Sequence, residues 1–170
     1  MSFNLNKIIR PTIEVLKPYS SARDEFIGEA EVYLDANENP FGNGLNRYPD
    51  PYQLELKNKI SKIKNINKDS IILGNGSDEV IDLLFRAFCE PSTDEVIILP
   101  PTYGMYQVCA DINNVKIKKV SLTSGFEVDE TSLLKNINNN TKIIWFCSPN
   151  NPTGNTMDPV VIKNVLNAFK

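Results

Sequence analysis

From residue 70 onward, short apolar runs alternate with stretches of helical periodicity. The runs cover residues 70–73, 95–99, 115–120 and 142–147. Between them lie a nearly all-apolar stretch (Val80, Ile81, Leu83, Leu84, Phe85, Ala87, Phe88), a stretch at 106–110 and another at 131–137. A final stretch carries Val160, Val161, Val165, Leu166 and Phe169. Strands that recur with a helix between each pair can share one sheet only by running parallel, with the helices crossing over its faces. The expected fold class is therefore α/β, three-layered, with a mostly parallel sheet. The stretch at 80–88 is apolar on most of its circumference and is expected to be a buried helix.

Before residue 70 the pattern is weaker. Ile8 to Pro11 suits the start of a short helix, with Pro11 in its first turn. Val32 to Leu34 is short and strand-like. It leads into Asp35-Ala-Asn-Glu-Asn-Pro-Phe-Gly-Asn-Gly44 and Arg47-Tyr-Pro-Asp-Pro51, both dense in turn formers. A loop of about 18 residues inside a compact domain is unusual and tends to serve a function or cross to another domain or subunit. From Tyr52 a helix is expected, with Leu54, Leu56, Ile60 and Ile63 largely on one side.

Composition narrows the chemistry. The chain has no histidine, which excludes Ser-His-Asp and Cys-His nucleophile machinery and two-histidine zinc motifs within it. Proton transfer falls to Lys, Tyr, Cys, a carboxylate or a cofactor. Cys89, Cys109 and Cys147 are scattered and odd in number, and read as reduced core thiols of a cytoplasmic protein; no metal site is expected. A net charge of -3 gives no electrostatic case for nucleic acid. No apolar run approaches the ~20 residues of a membrane span, and residues 1–10 lack the pattern of a secretory signal.

Three loops follow three of the expected strands, on the side where open α/β sheets place ligands. Gly74-Asn-Gly-Ser77 opens a helix whose unpaired N–H groups and dipole suit a phosphate. The alternative is a glycine turn with Ser77 as helix cap. Asp78 favours the helix start yet repels a phosphate unless its side chain points away. Tyr103, in Pro100-Pro-Thr-Tyr-Gly104, either stacks on a flat ring or simply packs. Asn151, in Ser148-Pro-Asn-Asn-Pro-Thr-Gly154, offers an amide on a rigid loop, which otherwise reads as a strand-to-helix connector. A phosphate cradle, a stacking aromatic and a fixed amide together describe a site for a phosphorylated planar cofactor such as pyridoxal 5'-phosphate.

The chain resembles the amino-terminal half of the fold-type I pyridoxal-phosphate aminotransferases, and more narrowly the histidinol-phosphate aminotransferase family. The Ser148 to Gly154 loop carries the broader likeness. Leu34-Asp-Ala-Asn-Glu-Asn-Pro40, Arg86-Ala-Phe-Cys-Glu-Pro91, Pro100-Pro-Thr-Tyr-Gly-Met-Tyr106 and Tyr19-Ser-Ser-Ala-Arg23 carry the narrower one. The resemblance implies that residues 1–50 form an N-terminal arm and small-domain segment with a substrate and dimer loop. Residues 51–170 would be the first part of the cofactor-binding large domain. Gly76 with the backbone amides of Ser77 and Asp78 would hold the cofactor phosphate. Tyr103 would stack on the ring and Asn151 would bond its phenolic oxygen. Tyr48 would reach the phosphate bound by the partner subunit of a homodimer. Tyr19 would bind the substrate phosphate, with Asn37 nearby.

The implied reaction is amino-group transfer between histidinol phosphate and 2-oxoglutarate, giving imidazole acetol phosphate and glutamate, in histidine biosynthesis. In the family the cofactor-anchoring lysine lies beyond the Asn-Pro-Thr-Gly loop. Neither Lys163 nor Lys170 matches it, so no catalytic residue is assigned here and the chain is expected to be inactive alone. It would be a partial sequence, a truncated product or half of a split enzyme. The alternatives are another aminotransferase or phospho-amino-acid decarboxylase of the same fold, or a non-catalytic cofactor- or partner-binding fragment. A nucleotide-binding module ranks last, because Leu99-Pro100-Pro101 places no acidic residue at the end of the second strand.

Overall fold

The computed structural model describes residues 4–28 and 30–168. Single 3-10 turns span Leu5–Lys7 and Lys68–Ser70. The other elements are α1 (Pro11–Glu14), α2 (Ala22–Glu25), α3 (Leu54–Lys64), α4 (Gly76–Phe88), β1 (Glu95–Ile98), α5 (Met105–Ile112), β2 (Lys116–Lys119), α6 (Glu130–Asn136), β3 (Thr141–Trp145) and α7 (Pro159–Ala168). They fall into two compact units, residues 1–15 with 74–170, and residues 16–73. The expected division at residue 50 falls inside the second of these.

In the first unit the three strands form a parallel sheet in the order β2-β1-β3. All four residues of β1 are buried, as a central parallel strand requires. Because successive side chains point to opposite faces, β1 serves two cores. Val96 and Ile98 join Ile81 and Phe85 of α4 and Tyr106, Cys109 and Ala110 of α5. Ile97 and Leu99 join Leu133 of α6, Met157 and Val165 of α7. Helices thus cover both faces of the sheet, which is the three-layer α/β arrangement the alternation predicts.

Glu95 begins β1 and is 4% exposed. It accepts hydrogen bonds from Lys118 Nζ of β2 (2.7 Å), Asn138 Nδ2 (2.8 Å) and Thr141 Oγ1 of β3 (3.2 Å), joining all three strands at one end. Burial alone would raise its pKa, but the Lys118 ammonium and the Thr141 and Asn138 donors outweigh that and hold it below the usual carboxylate range. A depressed folded-state pKa gives stability that is complete above the unfolded value of about 4.3 and is lost as pH falls through the folded one. The urea midpoint should therefore drop between pH 7 and pH 3, and Glu95→Gln should flatten that drop. An unchanged slope in the variant would remove Glu95 from the acid limb.

Three expectations need correction. The run at 70–73 is no strand: the backbone at Ile71 is extended (φ -114°, ψ 122°), yet it joins no ladder. Val32 to Leu34 is likewise irregular. An extended segment becomes a strand only where another backbone meets its polar groups. The stretch at 80–88 is helical but not buried all round: only Ile81 and Phe85 are buried, and Leu83 is 40% exposed. On the final helix, Phe169 lies outside the described residues. Cys89 and Cys109 are buried free thiols, the former pushed up to about 12 by its burial, while Cys147 is only half-buried.

The second unit contains α2, α3, the long loop between them and the turn at Lys68–Ser70. No residue of α3 is buried, and Leu54, Leu56 and Ile63 face solvent. The loop is held by charge instead of a core. Arg23 pairs with Asp35 (2.6 Å) and Glu38 (3.2 Å), and Arg47 with Glu38 (2.7 Å). Both guanidinium groups lie over the ring of Tyr33, at 4.7 and 5.8 Å.

Candidate functional site

α4 begins at Gly76, whose φ of +79° suits glycine, and a Cβ there would meet no atom within 4 Å. The backbone N–H groups of Ser77 and Asp78 lie in the first turn, where no preceding helical carbonyl can accept from them. The cap position is Asn75 and not Ser77. The Glu79 carboxylate turns back to accept from the N–H of Asn75. Asp78 reaches across to the next loop, where its Oδ1 accepts a hydrogen bond of 2.8 Å from the Tyr103 hydroxyl.

Tyr103 follows β1 in a half-buried position. Its ring meets Tyr106 edge-on (5.8 Å, 88°), and Tyr106 stacks on Trp145 of β3 (4.8 Å, 17°). The Asp78 hydrogen bond is the largest of the influences that raise the Tyr103 pKa, because ionising the phenol would break it and set two negative charges together.

The third loop, after β3, is organised by Asn150, which is 3% exposed. Its Nδ2 donates to the Pro101 carbonyl (2.9 Å) and to Thr153 Oγ1 (2.6 Å). Its Oδ1 accepts from Thr102 Oγ1 (3.1 Å). Its backbone bonds Asn155 O and Gly154 N. The neighbouring Asn151 is exposed, and its side chain makes no hydrogen bond among the described residues. Two polar links, Asp78 to Tyr103 and Asn150 to Pro101 and Thr102, therefore join all three loops at the C-terminal end of the sheet.

In the other unit Tyr19 (87% exposed) and Tyr48 (64% exposed) line one open cleft of about 730 Å³. The Tyr48 N–H donates to Glu38 Oε1 (2.8 Å), and its hydroxyl donates to the carbonyl of Asn37 (3.3 Å). The Arg47 guanidinium, the Tyr48 N–H and Arg23 hold the Glu38 carboxyl down at about 2. The side chain of Asn37 is exposed. Lys163 on α7 is exposed, and Lys170 lies outside the described residues.

Sequence reasoning singled out Asn151 and passed over Asn150. It also left the direction of the Asp78 side chain open. Both omissions concern contacts between loops distant in sequence. The only local hint was the doubled Asn before Pro152.

The donor set fits a phosphorylated flat ring. Two backbone N–H groups and the Ser77 hydroxyl stand at an open helix start, with an aromatic ring on the adjoining loop and an unengaged amide on the third. No helix of the described residues is long and apolar enough to cross a membrane.

The sequence profile of the family Aminotransferase class I and II matches residues 28–170. The histidinol-phosphate aminotransferase of Christiangramia forsetii is 57% identical over 169 residues, covering 98% of this chain and 48% of that protein. That of Flavobacterium psychrophilum is 55% identical, covering 99% and 49%. The crystal structure of the histidinol-phosphate aminotransferase from Clostridium acetobutylicum superposes with a TM-score of 0.61 at 26% identity, covering 72% of this chain and 35% of that one. The chain thus spans about half the length of the curated relatives it matches.

Proposed function

The chain belongs to the aminotransferase class I and II family, and on that premise we propose that it supplies the cofactor-holding loops of a pyridoxal-phosphate-dependent transaminase. The substrates are histidinol phosphate, as the names of its relatives suggest, and 2-oxoglutarate as the partner in the amino-group transfer. The observation that carries this reading is the joining of the three loops by Asp78, Tyr103, Thr102 and Asn150. The bound cofactor supplies an electron sink for the amino-group transfer.

The chain's own residues bind and orient. The Ser77 and Asp78 N–H groups, with Gly76 giving access, hold the phosphate at the positive end of α4. Tyr103 packs on the ring, and the Asn151 amide bonds the ring oxygen. Residues 1–50 serve as arm and small-domain segment and residues 51–170 as the first part of the cofactor domain. Tyr48 completes a phosphate site across a homodimer, and Tyr19 and Asn37 face the substrate. The enzyme works in the cytoplasm.

Trp145 is the single tryptophan and stacks on Tyr106, which meets Tyr103, so its fluorescence reports on the site. Titration with pyridoxal phosphate is expected to quench it saturably, more weakly after Tyr103→Ala or Asn151→Ala. Borohydride reduction is expected to mark no single lysine. Unsaturable quenching, or one lysine of this chain reduced stoichiometrically, would overturn the assignment. A chimera joining these residues to the remaining half of the Christiangramia forsetii relative should form glutamate from histidinol phosphate and 2-oxoglutarate. A chimera that binds the cofactor but forms none would sink the substrate reading.

A further inference from the structure

We propose that the side chain of Asp78 is a positioning residue: by holding the Tyr103 hydroxyl it fixes the Tyr103 ring as a platform for the flat part of the ligand. This inference rests on the cofactor reading of the site. An aspartate in the first turn of α4 is a poor choice beside a phosphate, because its charge opposes the anion that the helix start attracts. That cost is understandable if the carboxylate does something else, and the structure gives it a partner. Tyr103 lies 25 residues away on the loop after β1, and its hydroxyl meets Asp78 Oδ1 at 2.8 Å.

The ring is thereby held by two contacts. It packs perpendicular to Tyr106, which is 6% exposed and itself stacked on Trp145. Its hydroxyl is tied to α4. Remove either restraint and the half-buried ring can swivel, so that ordering it must be done by the ligand. The raised pKa of the phenol agrees with this pairing.

The two roles open to Asp78 differ in sign. A carboxylate that only repels would, when removed, tighten binding of every anion. A carboxylate that positions Tyr103 would, when removed, weaken a ligand with a flat ring and spare one without. The experiment compares pyridoxal phosphate with inorganic phosphate on the wild-type chain and on Asp78→Ala, Tyr103→Phe, the double variant and Asp78→Asn. Binding is read by Trp145 fluorescence and by the induced circular dichroism of the bound ring.

Asp78→Ala and Tyr103→Phe should each weaken pyridoxal phosphate about tenfold, the effect of losing one charge-assisted hydrogen bond. The double variant should be no worse than either, and inorganic phosphate should bind no more weakly. Asp78→Asn keeps an acceptor oxygen and should stay within about threefold of wild type. In the ligand-free chain, with tyrosine carbon-labelled, the ring resonance assigned by its loss in Tyr103→Phe should move in Asp78→Ala towards that of a free tyrosine. Tighter binding of both ligands by Asp78→Ala, losses that multiply in the double variant, or an unmoved Tyr103 resonance would each overturn the proposal. If the wild-type chain takes up no pyridoxal phosphate, the cofactor reading fails, and the resonance alone decides whether Asp78 positions Tyr103.

Discussion

Phe85→Ala is expected to lower the unfolding free energy by about 3–5 kcal/mol, the range for emptying a fully enclosed aromatic position. Phe85 is 0% exposed and sits where α4 meets the sheet, with its ring 5.7 Å from that of Trp145. The same helix offers its first turn to the candidate phosphate and ends beside Arg10. There the Arg10 N–H donates to the Ala87 carbonyl and its guanidinium pairs with Glu90. Truncating Phe85 leaves those end contacts in place and removes the apolar contact between them. Urea denaturation, followed by circular dichroism so that the altered surroundings of Trp145 do not confuse the reading, measures the effect. A loss below about 1 kcal/mol would mean that the core closes around the gap.

Asn150→Ala is expected to cost about 2–4 kcal/mol, because it strips partners from several half-buried polar atoms at once. The Pro101 carbonyl loses its amide donor, Thr102 Oγ1 its acceptor and Thr153 Oγ1 its donor. The consequence reaches function, since this residue ties the loop bearing Asn151 to the loop bearing Tyr103. Pyridoxal phosphate affinity should fall together with stability, whereas Asn151→Ala should reduce affinity alone. Asn150→Asp gives a sharper comparison. It keeps the oxygen facing Thr102 but sets a second oxygen against the Pro101 carbonyl, and should be at least as damaging as alanine. An Asn150→Ala chain of unchanged stability would show that the loops hold their places without it.

These two residues illustrate how much of the molecule can be read from sequence. Phe85 belongs to a nearly all-apolar stretch whose composition is enough to predict a packed helix, but only the fold shows that Ile81 and Phe85 are the members it buries. The alternation from residue 95 onward likewise predicts β1, α5, β2, α6, β3 and α7, because each is specified by local pattern and by burial on the sheet. Asn150 and Asn151 carry the same local turn chemistry, and only the fold distinguishes the one that is buried from the one that is free. The run at 70–73 has strand composition but no ladder, since pairing is decided by backbone elsewhere in the chain. The acidic side chain of Asp78 posed a question at the sequence level that only the neighbouring loop could answer. The long loop before α3 read as structureless. Its order comes from ion pairs among Arg23, Asp35, Glu38 and Arg47, a kind of organisation that leaves no periodicity behind.

The two margins of the sheet are chemically unequal. β2 exposes Lys116 and Lys119, while Lys118 is engaged by Glu95, so that a second chain approaching that margin meets positive charge, a common guard against fibrous growth. β3 carries one lysine, Lys142, followed by Ile143, Ile144 and Trp145, and its outer side pairs with no strand among the described residues. Of the two margins, β3 is therefore the one more open to pairing with a second copy of the chain. Added salt, by screening the lysines of β2, narrows the difference between the two margins.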